Sequence, residues 1–447
     1  MIKMVKTYLL GIECVKELSP DGSICAVSPE VASRLKKLTK KEVALRSKGL
    51  AVADASGNIC YREGNSHLQH FFPILIRDYA YLSYENARYD KPFPIISIDS
   101  HDVIGCDFKC QDCLSGAGMA VTKTPSGRNF NMPLEFYLHI LSEVASYSKK
   151  RGIDAVRFEQ SGEGNPDIYP ARAELIRQAK KRFNMQSVYV STGSMLTEDE
   201  IVSLVENAAF IRISFPGVDP RSYALYSNQD RFTFDDSMRL LNKLIRMRRE
   251  IGRENDLLIG ARAALRPEND PHYYNYGLAL KEAGVDCVQI VKILVPEGTK
   301  HTDYPLSQTC KNQLEQLKTL SDTTFNVSLP HVLDYLYYER RIEDKSVFPS
   351  TCYSVLVQPV LTGRGLFVCT KSEIMYSEQY RLGNFEGKGG EIEGFLDPAN
   401  IEKVAGDFPK SCGTCSNIFD NTLLDDIRRL TLRRKEDLSF YEVIVHD

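Results

Sequence analysis

Residues 105–116 read GCDFKCQDCLSG, and the reading of the whole chain turns on their spacing. Cys106, Cys110 and Cys113 follow a C-x3-C-x2-C pattern just after the apolar run FPIISID (93–99). Three thiols are an odd number for disulfides and one ligand short of a closed four-coordinate site. They suit a cubane iron–sulfur cluster that leaves one iron open, or a zinc ion completed by water or by His101.

Around this loop, short β-rich runs alternate with amphipathic stretches. Strands are expected at 93–99, 153–160, 187–192, 210–214, 257–265 and 285–294. Helices are expected between and after them, at 133–152, 169–183, 196–207, 235–252, 271–284 and 306–320. Strand–helix alternation argues for an α/β fold with a parallel sheet and right-handed crossovers. Six such units make either an open, partial (β/α)6 barrel or a doubly wound sheet, and periodicity does not separate the two. In either fold the cysteine loop sits at the carboxyl end of the first strand, where such folds place their active sites.

The flanks break this rhythm and suggest three parts: 1–92, 93–344 and 345–447. Residues 1–92 read as a small α+β domain, with strand-like KTYLLGIECV (6–15), a helix at 28–49 and a hairpin at 50–63. Residues 345–447 hold a second cysteine group, Cys352, Cys369, Cys412 and Cys415, a glycine-rich stretch (383–394) and a closing helix at 421–443. From spacing alone, four thiolates there make a closed zinc site. The remaining cysteines of the twelve stand singly and read as small buried apolar residues.

Composition narrows the function classes. A formal charge of −3 gives no electrostatic case for nucleic acid or an anionic membrane as partner. No apolar run approaches the roughly 20 residues that span a bilayer, and no small-residue cleavage site follows the opening MIKMVKTYLLGIEC. A cytoplasmic protein with reduced thiols is expected, and there clustered cysteines point to metal or catalysis.

Over roughly residues 93–330 the chain resembles the radical S-adenosylmethionine (radical SAM) superfamily, in which C-x3-C-x2-C after the first barrel strand binds a 4Fe–4S cluster. The open iron is chelated by S-adenosylmethionine. SGEGNP (161–166) looks like the family's glycine-rich motif for the methionine amino group, which brings in Gly162, Glu163 and Asn165. STGSML (191–196) resembles its third-strand turn, beginning at Ser191, and ISFPG places Ser214 at a ribose-contacting position. Arg262 in GARAAL stands where many members carry a basic partner for the methionine carboxylate. In two places the chain departs from the pattern: Asp112 replaces the usual aromatic, and Asn165 stands where glutamate is usual.

After such a barrel, the second cysteine group resembles the auxiliary-cluster regions called SPASM and twitch. CYSVLVQPVLTGRGLFVC has the strand–turn–strand shape, LGNF follows, and CGTC completes four ligands, which fits the shorter twitch type. The resemblance implies two 4Fe–4S clusters, a one-electron reductant such as flavodoxin or ferredoxin, and an oxidative modification whose electron the second cluster receives. It implies a peptide substrate, with 1–92 as leader-binding domain or barrel cap. A small polar metabolite such as an aminosugar or alcohol is the alternative. Among strand residues, Arg212 and Lys292 are polar, Arg157 and Glu159 share one face, and Glu159 is the candidate substrate base. A zinc-stapled, non-catalytic binding protein is the remaining reading.

Overall fold

The computed structural model describes residues 3–9, 12–18, 24–27, 95, 97–101, 103–104, 106–110, 113, 130–150, 155–161, 164–291, 306–322, 324–329, 358–363, 365–369, 380–384, 392–405 and 441–444. Gly162, Glu163, Lys292, Cys352, Cys412, Cys415, the expected helix at 28–49 and the hairpin at 50–63 lie outside them.

At the amino end, β1 (Lys3–Leu9), β2 (Ile12–Leu18) and β3 (Ile24–Val27) form an antiparallel sheet. KTYLLGIECV is therefore two strands, because the chain reverses between Leu9 and Ile12 across a segment holding Gly11.

The main sheet begins with β4 (Ser97–His101), later in the chain than the apolar run suggests. A short pair, β5 (Val103–Ile104) with β6 (Phe130–Asn131), follows. Then come α1 (Leu134–Lys149), β7 (Arg157–Gln160), α2 (Arg172–Phe183), β8 (Gln186–Ser191), α3 (Glu198–Asn207) and β9 (Phe210–Phe215). Next are α4 (Pro220–Ser227), α5 (Phe234–Glu250), β10 (Leu258–Ala264), α6 (Tyr273–Ala283), β11 (Cys287–Val291), α7 (Gln308–Lys318) and β12 (Asn326–Ser328). Sequence-readable caps start several of these helices. Thr197 with Glu200 closes a capping box on α3, and Thr233 with Asp236 does so on α5.

Strand order separates the two folds that periodicity left open. β4, β7, β8, β9, β10, β11 and β12 lie side by side in chain order, all parallel. A doubly wound sheet reverses its order at a switch point. This one never does, so its helices cover one face and leave the other concave. The architecture is the partial β/α barrel, with β12 as a seventh short parallel strand. Ile211, Ile213, Ile259, Ala261, Val288 and Ile290 turn to the helix side, where they form a buried core with α3, α5, α6 and α7.

Beyond β4 the same sheet continues with β13 (Val360–Thr362), parallel to β4, then β14 (Gly365–Phe367) and β15 (Arg381–Gly383), antiparallel. The expected strand–turn–strand before Cys369 is thus an extension of the barrel sheet. The end of the closing helix is corrected. Tyr441–Ile444 form β16, which pairs with β3, as the β-favouring run YEVI opposite ICAV allows.

Candidate functional site

The cysteine loop leaves the carboxyl end of β4 and is pinned over Phe108, Lys109 and Cys110. Phe108 buries its ring in the helix-side core, and Cys110 packs against the same cluster. The Lys109 N–H donates to the Ser227 carbonyl at the end of α4 (3.3 Å). Within the loop, the Phe108 N–H points at Cys106 Sγ (3.4 Å) and the Cys113 N–H donates to the Cys110 carbonyl (3.3 Å). Burial, with Cys113 beside it, pushes the Cys110 thiol up to about 11.

The donor set fits a cubane: three soft sulfurs on one loop, with an N–H already aimed at one of them. Among the described residues no three His, Cys, Asp or Glu side chains gather around one point as ligands of a single ion do.

Asp107, between the first two cysteines, ties this loop to the next two. Its carboxylate accepts from the Asn165 amide (2.7 Å) and the Ser194 hydroxyl (2.5 Å). The same amide nitrogen lies 2.8 Å from Thr192 Oγ1, 3.1 Å from Ser194 Oγ and 3.1 Å from Asp167 Oδ2. Two N–H groups thus share four acceptors, so the cluster is over-determined. Ser191 Oγ lies 2.9 Å from Asn165 Oδ1 and shares its one proton with Asp167, and Tyr189 Oη donates to Asp167 (2.7 Å). Gly193, at φ 76°, supplies the left-handed turn that brings Thr192 and Ser194 round to Asn165. Burial raises the Asp167 carboxyl above its ordinary range although Ser191, Tyr189 and Asn165 all donate to it.

The concave face is polar. Cα partners across parallel strands share a face, which aligns Asp99 with Glu159, Arg212 with Gly260, and Ser214 with Arg262 and Gln289. Glu159 is fully buried, paired with Arg157 and 3.6 Å from Arg212 Nη2. Arg212 Nη1 donates to Gln289 Oε1 (3.1 Å). Burial works to raise the Asp99 carboxyl, yet the hydrogen bond and charge of His101, 3.7 Å away, hold it below its ordinary range. Arg262 differs from the rest. Among the described residues it has neither hydrogen bond nor ion pair, and burial plus the Arg212 charge press it down to about 9. The Glu159 carboxylate works against both without a direct contact, and a buried guanidinium with no hydrogen-bonded partner among the described residues suits an anionic group.

The structure therefore brings the three cysteines onto one loop and sets Ser214 beside Arg262 on the concave face. Asn165 and Ser191 join one another in the Asp107 tie, with 3% of each exposed. Cys369 is buried just after β14, with Leu361, Leu366 and Val368 in its core. Asp107, Asp167, Thr192 and Ser194 escaped sequence reasoning. The run Asn165-Pro166-Asp167 was the available signal, since asparagine before proline marks a helix start, here a 3-10 turn.

No protein-family model and no curated protein matches the chain. Solved structures do. Streptococcus suis SuiB bound to S-adenosylmethionine superposes with a TM-score of 0.53 at 12% identity, over 75% of this chain and 73% of that one. SuiB bound to its precursor peptide SuiA gives 0.52 at 13% identity, over 79% of each. The barrel has the radical SAM fold. Over another SuiB structure the match covers 90% of this chain and 87% of that one, at a TM-score of 0.51 and 11% identity.

Proposed function

We propose that this chain is a radical SAM enzyme that oxidatively modifies a peptide. The observation that carries the reading is the three-cysteine loop at the carboxyl end of the first barrel strand, with a concave face where Ser214 and the buried Arg262 are neighbours. Cys106, Cys110 and Cys113 would hold a 4Fe–4S cluster, which when bound supplies the electron that cleaves S-adenosylmethionine to methionine and a hydrogen-abstracting 5′-deoxyadenosyl radical. Arg262 would meet the methionine carboxylate and Ser214 the ribose. The tie through Asp107 and Asn165 would hold the loop still while the open iron takes its ligand. Gly162 and Glu163 would border the amino group.

Cys369, with Cys352, Cys412 and Cys415, would hold an auxiliary 4Fe–4S cluster, and a flavodoxin- or ferredoxin-like protein would be the reductant. The precursor peptide on the structurally similar SuiB supports a peptide substrate, with residues 1–92 as the part that receives it. In this reading Glu159 serves as counter-ion to Arg157 and Arg212, because a base must reach its substrate and this carboxylate is fully buried.

Metal analysis of anaerobically purified protein tests the assignment. Two cubanes require about eight irons per chain, and alanine at Cys106, Cys110 and Cys113 should leave about four. Zinc at either cysteine group would remove that cluster from the proposal.

A further inference from the structure

We infer that Arg266 tunes the reduction potential of the cluster at Cys106, Cys110 and Cys113 by holding its guanidinium charge beside the Cys110 side of the loop. The inference rests on the cluster reading above and adds a residue that the motif comparison does not reach.

One position and two contacts place the charge. Arg266 lies two residues beyond β10, at the same end of the barrel as the cysteine loop. Its guanidinium carbon sits 3.6 Å from the centre of the Tyr226 ring on α4. The next residue, Ser227, accepts the Lys109 N–H, one residue before Cys110. The stacking platform and the cluster loop therefore meet at the end of one helix. Only 7% of Arg266 is exposed, so water screens its field weakly.

Arginine is the residue type this role needs. A guanidinium keeps its charge when buried and lies flat on an aromatic ring, whereas an ammonium is more strongly hydrated. The position is fixed on both sides. The Arg266 N–H donates to Tyr273 Oη (2.9 Å), which itself donates to the Ala264 carbonyl (3.1 Å). Tyr226 Oη donates to the Glu268 carboxylate, which anchors the platform.

Reduction adds one negative charge to the cluster. A fixed positive charge nearby stabilises that state and raises the potential, so the cluster accepts an electron from a weaker reductant. No bond changes; the effect is a field on one electron-transfer step.

The test is a redox titration of the reconstituted full chain, followed by electron paramagnetic resonance without S-adenosylmethionine and then with it. Arg266→Met should move the midpoint to more negative potential in both conditions, while Arg266→Lys stays close to wild type. If Arg266→Met does not retain the cluster, Arg266→Gln is titrated in its place, since it keeps a donor and loses the charge. An unchanged midpoint in a neutral variant with a full cluster spectrum overturns the proposal. So does a shift seen only with S-adenosylmethionine, which makes Arg266 a cofactor contact, and so does cluster loss in both neutral variants, which makes it structural. A wild-type chain that takes up no cluster instead contradicts the functional reading itself.

Discussion

The Asn165 amide donates to the Asp107 carboxylate at 2.7 Å, joining the loop after the second barrel strand to the cysteine loop after the first. Ser194, after the third strand, donates to the same carboxylate. One exposed aspartate thus gathers three loops whose strands are neighbours in the sheet.

Removing that aspartate should loosen the site without unfolding the barrel. Asp107→Ala is expected to weaken S-adenosylmethionine binding about tenfold, or about 1.4 kcal/mol, close to one charge-assisted hydrogen bond. Asp107→Asn, which still accepts, should retain most of the affinity. Calorimetric titration of the reconstituted variants checks both; equal affinity in wild type and the alanine variant would leave the tie without a functional role.

Gly217 supports the loop from the other side. A Cβ there would lie 2.2 Å from the Tyr223 nitrogen and 2.3 Å from the Ser222 carbonyl carbon, in the first turn of α4. Backbone atoms cannot step aside, so Gly217→Ala must displace the helix whose end holds Lys109. A loss of about 2 kcal/mol of stability or more is expected, with lower iron content. Gly394→Ala, where a Cβ meets nothing within 4 Å, is the control and should be near neutral in denaturant unfolding.

Glu159 offers a sharper separation of roles. Glu159→Gln leaves Arg157 and Arg212 buried without their carboxylate, which should cost about 3–5 kcal/mol. The folded fraction should still cleave S-adenosylmethionine at the normal rate. A fully stable variant would show that the charge network is not what Glu159 provides.

The part of the fold legible in the sequence is the part that periodicity and capping govern. β9 was expected at 210–214 and is Phe210–Phe215; α5 was expected at 235–252 and is Phe234–Glu250. β4 was misplaced because its strand reads SIDSH. Ser97, Asp99 and His101 share the concave face with Arg157 and Glu159, and their burial is a property of the closed sheet rather than of local sequence. Helix α4 was passed over although Asp219-Pro220 marks its start, since its apolar periodicity is weak over only eight residues. The cysteine loop was readable because its ligands are local. The Asp107–Asn165–Ser194 tie was not, because its members come from three loops that meet only when the strands align.

Acidity should act on the second loop through Asp167. Its folded-state carboxyl is raised by burial above the unfolded value, so the stability it contributes is full below about pH 4 and is lost as pH rises through the folded value. Asp167→Asn removes that titration. The stability of wild type relative to the variant should therefore fall as pH rises above about 4, measured by thermal unfolding at each pH. A pH-independent difference would mean that Asp167 titrates as an ordinary carboxyl.

The central claim is that the loop of Cys106, Cys110 and Cys113 carries the chemistry, and the most direct measurement is the yield of 5′-deoxyadenosine. Anaerobic protein reduced with dithionite and given S-adenosylmethionine should form it, and Cys110→Ala should form none. An equal yield from that variant, or none from a wild-type chain that shows a complete cluster spectrum, would contradict the account.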